Sequence, residues 1–311
     1  MRFFSGWRRQ LPPKRIAFAL VIEAGRLEIQ SRRLIASLRQ FGGRWKKAPL
    51  YVYQPRAGAE LAPETLDFLQ KNECHFTALD LNRTWAEWGL FNRPYACAHL
   101  EAALGEETDF LVFLDSDILL LKEPAGLCLT DDKWLGIKPV DVMNIASPAN
   151  GPLDEYWRRI YAVAGDPLEA GATVFPSVGE VPIRPYFNGG VIVSRPRIRL
   201  FHAWMQNAEK MAAHKAWWKG LPQPQHYHIA QAVLSATITA QTPMERVELL
   251  PPGLNYPLNV QHLLPESKRW ARLDRVTLLH YKESFHDAEW TRKIAVSAAQ
   301  RRWLQRQEIP V

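Results

Sequence analysis

Two carboxylates, two residues apart, follow a strongly apolar stretch of the sequence. Asp115 and Asp117 come directly after 110–114, a run of five apolar residues typical of a strand buried on both faces. Unpaired carboxylates at this spacing repel each other and are costly to remove from water. A divalent cation removes both costs, and oxygen ligands suit Mn²⁺ or Mg²⁺. The alternative is a solvated turn, but the apolar run favours a metal site because it places the pair at the carboxyl edge of a sheet.

Two further motifs lie downstream. His280 ends the apolar segment Leu278-Leu279, where an imidazole could complete an oxygen–oxygen–nitrogen ligand set that favours Mn²⁺ over Mg²⁺. Phe187-Asn188-Gly189-Gly190 opens another apolar run, and consecutive glycines in a strand pattern mark close backbone approach or a bulge. Taken singly, these motifs indicate a structural histidine and a strand-initiating turn.

The three motifs together carry a resemblance. Their order, strand-Asp-Ser-Asp, then Phe-Asn-Gly-Gly-strand, then strand-His, resembles the GT-A fold of nucleotide-sugar glycosyltransferases, closest to glycogenin-like and bacterial lipopolysaccharide galactosyltransferase-like families. The resemblance covers residues 14–285. It implies an α/β, Rossmann-like fold: one large domain with a mostly parallel central sheet and flanking helices, followed by a C-terminal helical tail. It also implies metal-dependent hexosyl transfer from a nucleoside-diphosphate sugar to a hydroxyl of a glycan or glycolipid.

The resemblance assigns roles to individual residues. Asp115, Asp117 and His280 would be the ligands of Mn²⁺ (or Mg²⁺). Donor contacts would come from four places: the end of the first strand, the start of a helix that suits anions, the residue between the two acids, and the two downstream motifs. In that order, the residues are Leu20, Val21 and Glu23, then Arg93, then Ser116, then Asn188, Gly189, Gly190 and Lys282. Lys282 would replace the family's phosphate-binding lysine.

Catalytic candidates follow from the same comparison. Gln231 stands where relatives carry the second member of an Asp-Gln pair, and Ala230 stands in place of the aspartate. An inverting enzyme needs a positioned base, for which Asp141, Asp154 and Asp287 are candidates. A retaining enzyme of this fold can lack an evident protein nucleophile, and the sequence leaves the stereochemistry open.

Alternating strands and helices would position these residues. Such an order predicts a mostly parallel sheet, with ligands at the carboxyl ends of the strands. Residues 14–121 would form a nucleotide-binding half and 122–285 an acceptor and sugar half. Residues 122–182 predict a long irregular binding loop. The predicted strands are 16–22, 50–53, 75–79, 109–114, 187–194 and 276–281. The predicted helices are 27–41, 63–71, 93–104, 199–213 and 226–238.

Composition limits the class of protein and the cellular compartment that we expect. The 311 residues are 47% hydrophobic and 23% charged, which is globular composition and excludes a mostly disordered chain or a coiled coil. The net charge of +7 suits an anionic partner. Three widely spaced cysteines predict a reducing, cytoplasmic setting. The seven-residue apolar run 16–22 favours a strand over a signal peptide, and no run reaches the about 20 apolar residues of a spanning helix, so we expect a soluble or peripheral protein.

Much of the basic excess lies at the two termini, and the C-terminal part of it lies in the tail, 286–311. Its amphipathic pattern predicts either a helix docked on the domain or a peripheral contact with an anionic membrane. A nucleic-acid partner is not expected, because zinc-ligand spacing and RNA-binding aromatic signatures are missing from the sequence.

Two other functions compete with a glycosyltransferase. One is a non-catalytic nucleotide-sugar-binding module that has kept the GT-A fold, which the departures at Ala230 and after His280 leave open. The other is a haloacid-dehalogenase-like phosphatase, which also places Asp-x-Asp after an apolar strand. That chemistry usually needs Thr or Val where Leu119 stands, and needs the motif near the start of its domain.

Overall fold

A computed structural model describes residues 14–105, 107–165, 172–179, 181–287 and 289–311. The strands are β1 (Ile16–Val21), β2 (Leu50–Gln54), β3 (His75–Ala78), β4 (Phe110–Leu114), β5 (Ile118–Leu120), β6 (Leu135–Pro139), β7 (Phe187–Ser194), β8 (Val247–Leu249), β9 (Leu254–Pro257) and β10 (Leu278–His280). The helices are α1 (Arg26–Phe41), α2 (Pro63–Lys71), α3 (Asn92–Ala103), α4 (Glu155–Ala164), α5 (Leu200–Ala212), α6 (Lys215–Lys219), α7 (Gln223–Gln241) and α8 (Ala298–Arg306).

Seven strands form the main sheet, in the order β3-β2-β1-β4-β7-β6-β8. Strand β7 runs antiparallel to both its neighbours, and the other six share one direction. The predicted mostly parallel sheet is therefore confirmed. The chain builds outward from β1 to β3 and then returns to place β4 on the other side of β1. This reversal opens a crevice at the carboxyl ends of β1 and β4, where ligands bind in open α/β sheets.

Both faces of this sheet are covered, because the central strands are apolar on both sides. In β4, Phe110, Val112 and Leu114 pack in one cluster with apolar residues of α1. Leu111 and Phe113 point the other way, into a cluster built with α3, α5 and α7. This arrangement explains why β4 reads as an uninterrupted apolar run.

A smaller sheet, of order β5-β10-β9, continues from the end of β4. Leu119 and Leu279 of this sheet share a buried cluster with Trp290, Trp303 and Leu304 of the tail. The tail is therefore docked on the domain, and its large apolar side chains are not available to a membrane surface. Within the described ranges, no helix is long and apolar enough to cross a membrane.

The stretch 122–182 corrects one expectation, because it contains both β6 and α4 rather than a continuous irregular loop. Asp154 begins α4 by accepting a hydrogen bond from the backbone N–H of Trp157 at 2.8 Å, and Gly165 ends it in the left-handed conformation. The strand β6 contains Gly136 and Pro139, so its local sequence favours no strand. It forms because β7 and β8 pair with it on either side.

Candidate active site

The Asp-Ser-Asp segment is the turn that carries the chain from the main sheet into the smaller one. The backbone N–H of Asp115 donates to the carbonyl of Gly190 at 2.9 Å, which ties the turn to β7. The N–H of Ile118 then donates to the carbonyl of Asp115 at 3.1 Å as β5 begins. Both carboxylates are therefore fixed at the carboxyl edge of β4, as predicted.

Strand pairing brings the distant histidine to this turn. Strand β10 is antiparallel to β5, with His280 opposite Ile118. The N–H of Tyr281 donates to the carbonyl of Asp117 at 3.1 Å, and His280 Nε2 lies 3.2 Å from Asp117 Oδ1. One ligand atom each from Asp115, Asp117 and His280 falls within 4.8 Å of the other two. We call these three residues the acid–histidine cluster.

Burial and charge make this cluster suitable for a cation. Burial raises the pKa of Asp115, although Arg93 Nε lies 3.0 Å from its Oδ1 and works against that rise. Burial also works to raise the pKa of Asp117, but His280, Arg93 and Lys282 together outweigh it, so that pKa is lowered. Two carboxylates and one imidazole are a ligand set that Mn²⁺ accepts, and Mg²⁺ accepts the oxygens. The residues present therefore fit a divalent metal ion.

The second glycine of the Phe-Asn-Gly-Gly motif lets the histidine approach β7. A Cβ atom at Gly190 would lie 2.8 Å from His280 Cε1, which is closer than real contacts allow. The same strand departs from regular pairing with β6, because Ile137 faces Ile192 while Lys138 faces Asn188. The bulge or close approach expected from the consecutive glycines is therefore present, and the group that approaches is the imidazole ring.

The predicted donor-binding residues differ in how directly they interact with this cluster. Arg93, in the first turn of α3, contacts Asp115, and the Lys282 charge acts on both carboxylates. Ser116 Oγ donates to Gln30 Oε1 at 3.0 Å. Among the β1 residues, Leu20 is buried in the core and Val21 is partly buried.

Glu23 follows β1 and lies in a polar network. It is ion-paired with Arg56 and accepts a hydrogen bond from Asn92 Nδ2 at 2.8 Å. Because Asn92 and Arg93 are the first residues of α3, Glu23 and the acid–histidine cluster are linked through the same helix start.

The three aspartates proposed as bases each have a structural partner. Asp141 is buried, ion-paired with Lys138, and accepts a hydrogen bond from Ser177 Oγ at 2.7 Å. Asp154 is the exposed N-cap of α4, and Asp287 pairs with Lys293 at 3.0 Å. Gln231 is partly buried on α7.

The fold brings two residues to this region that sequence motifs do not identify, His228 and Asn255. His228, on α7, has a pKa lowered to about 4 by burial and then by the charges of Lys282 and Arg93. Its Nε2 lies 2.6 Å from Asn144 Nδ2. The only sequence signal for His228 is its place one helical turn before Gln231.

A further unpredicted residue is Asn255, which is fully buried in β9. Its Oδ1 lies 3.0 Å from His280 Nδ1, and its Nδ2 donates to Asn188 Oδ1 at 3.1 Å. Asn255 therefore contacts both the acid–histidine cluster and the Phe-Asn-Gly-Gly motif. Nothing in the sequence around it marks it for this place.

A mostly parallel sheet with an acidic turn after β4, a glycine-containing β7 and a late histidine has the architecture of GT-A glycosyltransferases. Solved structures agree on this fold. The bifunctional glycosyltransferase WbbM matches with a TM-score of 0.53 at 14% identity, over 96% of this chain and 53% of its own. The galactosyltransferase LgtC, bound to donor and acceptor sugar analogues, matches with a TM-score of 0.52 at 15% identity, over 85% and 86%. The chain thus spans about half of the length of WbbM.

Sequence comparison identifies the family. Residues 18–241 match the model of the Rhodobacterales glycosyltransferase domain, and the chain belongs to this family. No curated protein matches the sequence significantly. The GT-A fold and the resemblance to glycosyltransferases are both confirmed.

Proposed function

We propose that this protein is a metal-dependent glycosyltransferase that moves a hexosyl group from a nucleoside-diphosphate sugar to a hydroxyl of a glycan or glycolipid. The observation that carries the proposal is the acid–histidine cluster with Arg93 beside it, at the crevice between β1 and β4. Membership in a glycosyltransferase family supports the reaction class. The haloacid-dehalogenase alternative is not favoured, because this is a GT-A fold.

Charge balance explains why the site suits a metal and a diphosphate together. The two carboxylates contribute two negative charges, and Arg93 and Lys282 contribute two positive ones. A divalent cation held by Asp115, Asp117 and His280 would leave the site positive, which complements a diphosphate. Such a cation supplies Lewis-acid stabilisation to the departing phosphate oxygens. Arg93 and Lys282 would bind the same oxygens, and the partial burial of Arg93 would strengthen its attraction to them.

The remaining donor contacts would hold the nucleotide and the sugar. Leu20, Val21 and Glu23 follow the crevice from β1, where the nucleotide would lie, and Ser116 sits between the two acids. Asn188, Gly189 and Gly190 would line the sugar pocket from β7. Gln231 would face the reacting sugar from α7. We assign Asp141 and Asp154 no proton-transfer role, because each carboxylate already holds a structural contact.

Isothermal titration tests this proposal directly. Wild-type protein should bind UDP or GDP in the presence of Mn²⁺, and binding should fall sharply without the metal. Asp117→Asn should lose the metal-dependent part, because it removes one charged ligand while keeping the shape of the side chain. Asp131→Asn is the matched control, because this exposed aspartate pairs with Lys14 before β1, at the end of the strand opposite to the acid–histidine cluster.

Turnover separates the enzyme from the binding module. A screen of nucleotide sugars for slow donor hydrolysis requires no acceptor, and wild-type protein should hydrolyse at least one of them. Metal-dependent nucleotide binding without turnover of any donor would favour the non-catalytic module. Failure of every nucleoside diphosphate to bind in the presence of Mn²⁺ would reject the proposed function.

A further inference from the structure

A chain of hydrogen bonds leads from the backbone of β7 to the imidazole of His280. The N–H of Gly190 donates to Asn188 Oδ1 at 2.8 Å, and Asn255 Nδ2 donates to the same oxygen at 3.1 Å. The opposite end of the Asn255 amide, Oδ1, lies 3.0 Å from His280 Nδ1. Asn188, Asn255 and His280 are all buried, so water does not compete for these bonds.

The backbone N–H of Gly190 determines which atoms donate and which accept along this series of hydrogen bonds. An amide N–H can only donate, so the Asn188 atom that faces Gly190 is the side-chain oxygen. The Asn255 group that shares this oxygen must then be its NH₂, which leaves the Asn255 carbonyl oxygen facing the imidazole. A carbonyl oxygen only accepts, so His280 Nδ1 carries the proton. In the neutral ring Nε2 then has a free lone pair, on the side of Asp117.

Strand irregularity places Asn255 in this position. Along β9 and β10, Leu254 pairs with Leu278 and Tyr256 pairs with Leu279, so Asn255 has no partner in the register. A bulge of this kind redirects a side chain. The backbone carbonyl of Asn255 accepts a hydrogen bond from Lys138 Nζ at 3.0 Å, and Lys138 is itself held by its buried ion pair with Asp141.

We propose that Asn255 is a positioning residue for the metal site: it holds His280 in the Nδ1-protonated tautomer, with Nε2 free to coordinate. Lys138 and Asp141 anchor the Asn255 backbone, which gives the buried Asp141 a positioning role of its own. This inference rests on the proposed metal-dependent function. The inference goes beyond that function because Asn255 touches neither the metal nor the donor and still sets the affinity of the site for the metal.

Mn²⁺ affinity of the full chain, measured by the EPR signal of free Mn²⁺, tests the inference without any turnover assay. Asn255→Ala removes the acceptor for Nδ1–H, and changes to groups that orient a ligand typically weaken metal binding about 10- to 100-fold. Asn255→Asp loses the NH₂ that donates to Asn188 Oδ1, but it keeps an oxygen acceptor facing His280 Nδ1. Asn255→Asp should therefore bind Mn²⁺ more tightly than Asn255→Ala.

A second buried asparagine provides the matched control. Asn207 donates to Thr237 Oγ1 at 3.0 Å, between α5 and α7, and belongs to no part of the proposed site. Asn207→Ala should lower the thermal unfolding midpoint and leave the Mn²⁺ affinity at the wild-type value. Loss of a buried hydrogen bond alone would then not explain the effect of Asn255→Ala.

The outcomes separate the two proposals. If His280→Ala weakens Mn²⁺ binding while Asn255→Ala does not, the positioning role is wrong and the metal site stands. If Asn255→Asp binds no better than Asn255→Ala, the acceptor at Nδ1 is not what matters and the inference also fails. If His280→Ala and Asp117→Asn both bind Mn²⁺ like wild type, the proposed metal site itself is wrong.

Discussion

Replacing Gly190 by alanine should damage the acid–histidine cluster through one added carbon atom. Because Gly190 does not have a positive φ, alanine fits its backbone conformation without strain. The effect is therefore steric. The new Cβ would lie 2.8 Å from His280 Cε1, 3.0 Å from Asn188 Oδ1 and 3.1 Å from His280 Nδ1.

The required displacement can be compared with the tolerance of a metal site. Ordinary van der Waals contact begins near 3.4 Å, so the imidazole must retreat by about 0.6 Å. Metal–ligand distances tolerate only about 0.2 Å. We therefore expect Gly190→Ala to weaken Mn²⁺ binding by about 10- to 100-fold, which corresponds to roughly 1.4–2.8 kcal/mol. Overpacking of this kind should also lower the free energy of unfolding by about 1–3 kcal/mol.

The adjacent residue, Gly189, provides a matched control for Gly190→Ala. A Cβ at Gly189 would meet the flexible end of Arg93 at 3.2 Å and Leu234 at 3.5 Å, so a small movement accommodates it. Gly189→Ala should keep the wild-type Mn²⁺ affinity in a titration without nucleotide, monitored by EPR or calorimetry. Equal Mn²⁺ affinities for Gly190→Ala and wild type would refute the reasoning, because His280 would then not be a ligand held against β7.

Three further predictions concern stability. Burial raises the pKa of Glu101 to about 7, above the ordinary value of 4.5, so the unfolding free energy should fall as pH rises from about 4.5 to about 7. The unfolding free energies of wild type and Glu101→Gln, measured by chemical denaturation, should diverge by roughly 3 kcal/mol across this window, and parallel curves would contradict the prediction. Asp154→Ala removes the N-cap of α4 and should cost about 0.5–2 kcal/mol, measured by urea unfolding at pH 7. Lys138→Met leaves the Asp141 carboxylate buried and unpaired, so it should cost about 3–5 kcal/mol, and Asp141→Leu added to it should restore part of that loss.

Much of the fold could be predicted because its signals are local. The helix at Pro63–Lys71 and the strand at Phe187–Ser194 have the predicted bounds. Each is marked by residues at its own ends, such as the proline that opens α2. Strand β6 was missed because it is short and contains Gly136 and Pro139, so only its two neighbours in the sheet specify it. Helix α4 was missed although Asp154, its N-cap, is visible in the sequence, because a site aspartate and a capping aspartate look alike.

The candidate site likewise contains residues that the sequence predicts and residues that it does not. Asp115, Asp117 and His280 could be predicted because each follows an apolar run and because their order matches a family pattern, and the structure brings the three together. Asn255 and Lys138 could not be predicted. Their contacts depend on a strand bulge and on a register shift, which arise only when distant strands pair. His228 reaches the site from α7 for the same kind of reason.

The junction between the two sheets has a consequence for how this protein folds during its synthesis. Asp115 and Asp117 leave the ribosome long before His280, and the edge of β5 has no partner until β10 is available to pair with it. The acid–histidine cluster can therefore be assembled only after β10 has been synthesised. A polypeptide that stops before β10 would lack His280 and leave the edge of β5 open, so metal binding through the proposed acid–histidine cluster would report that translation has passed this point.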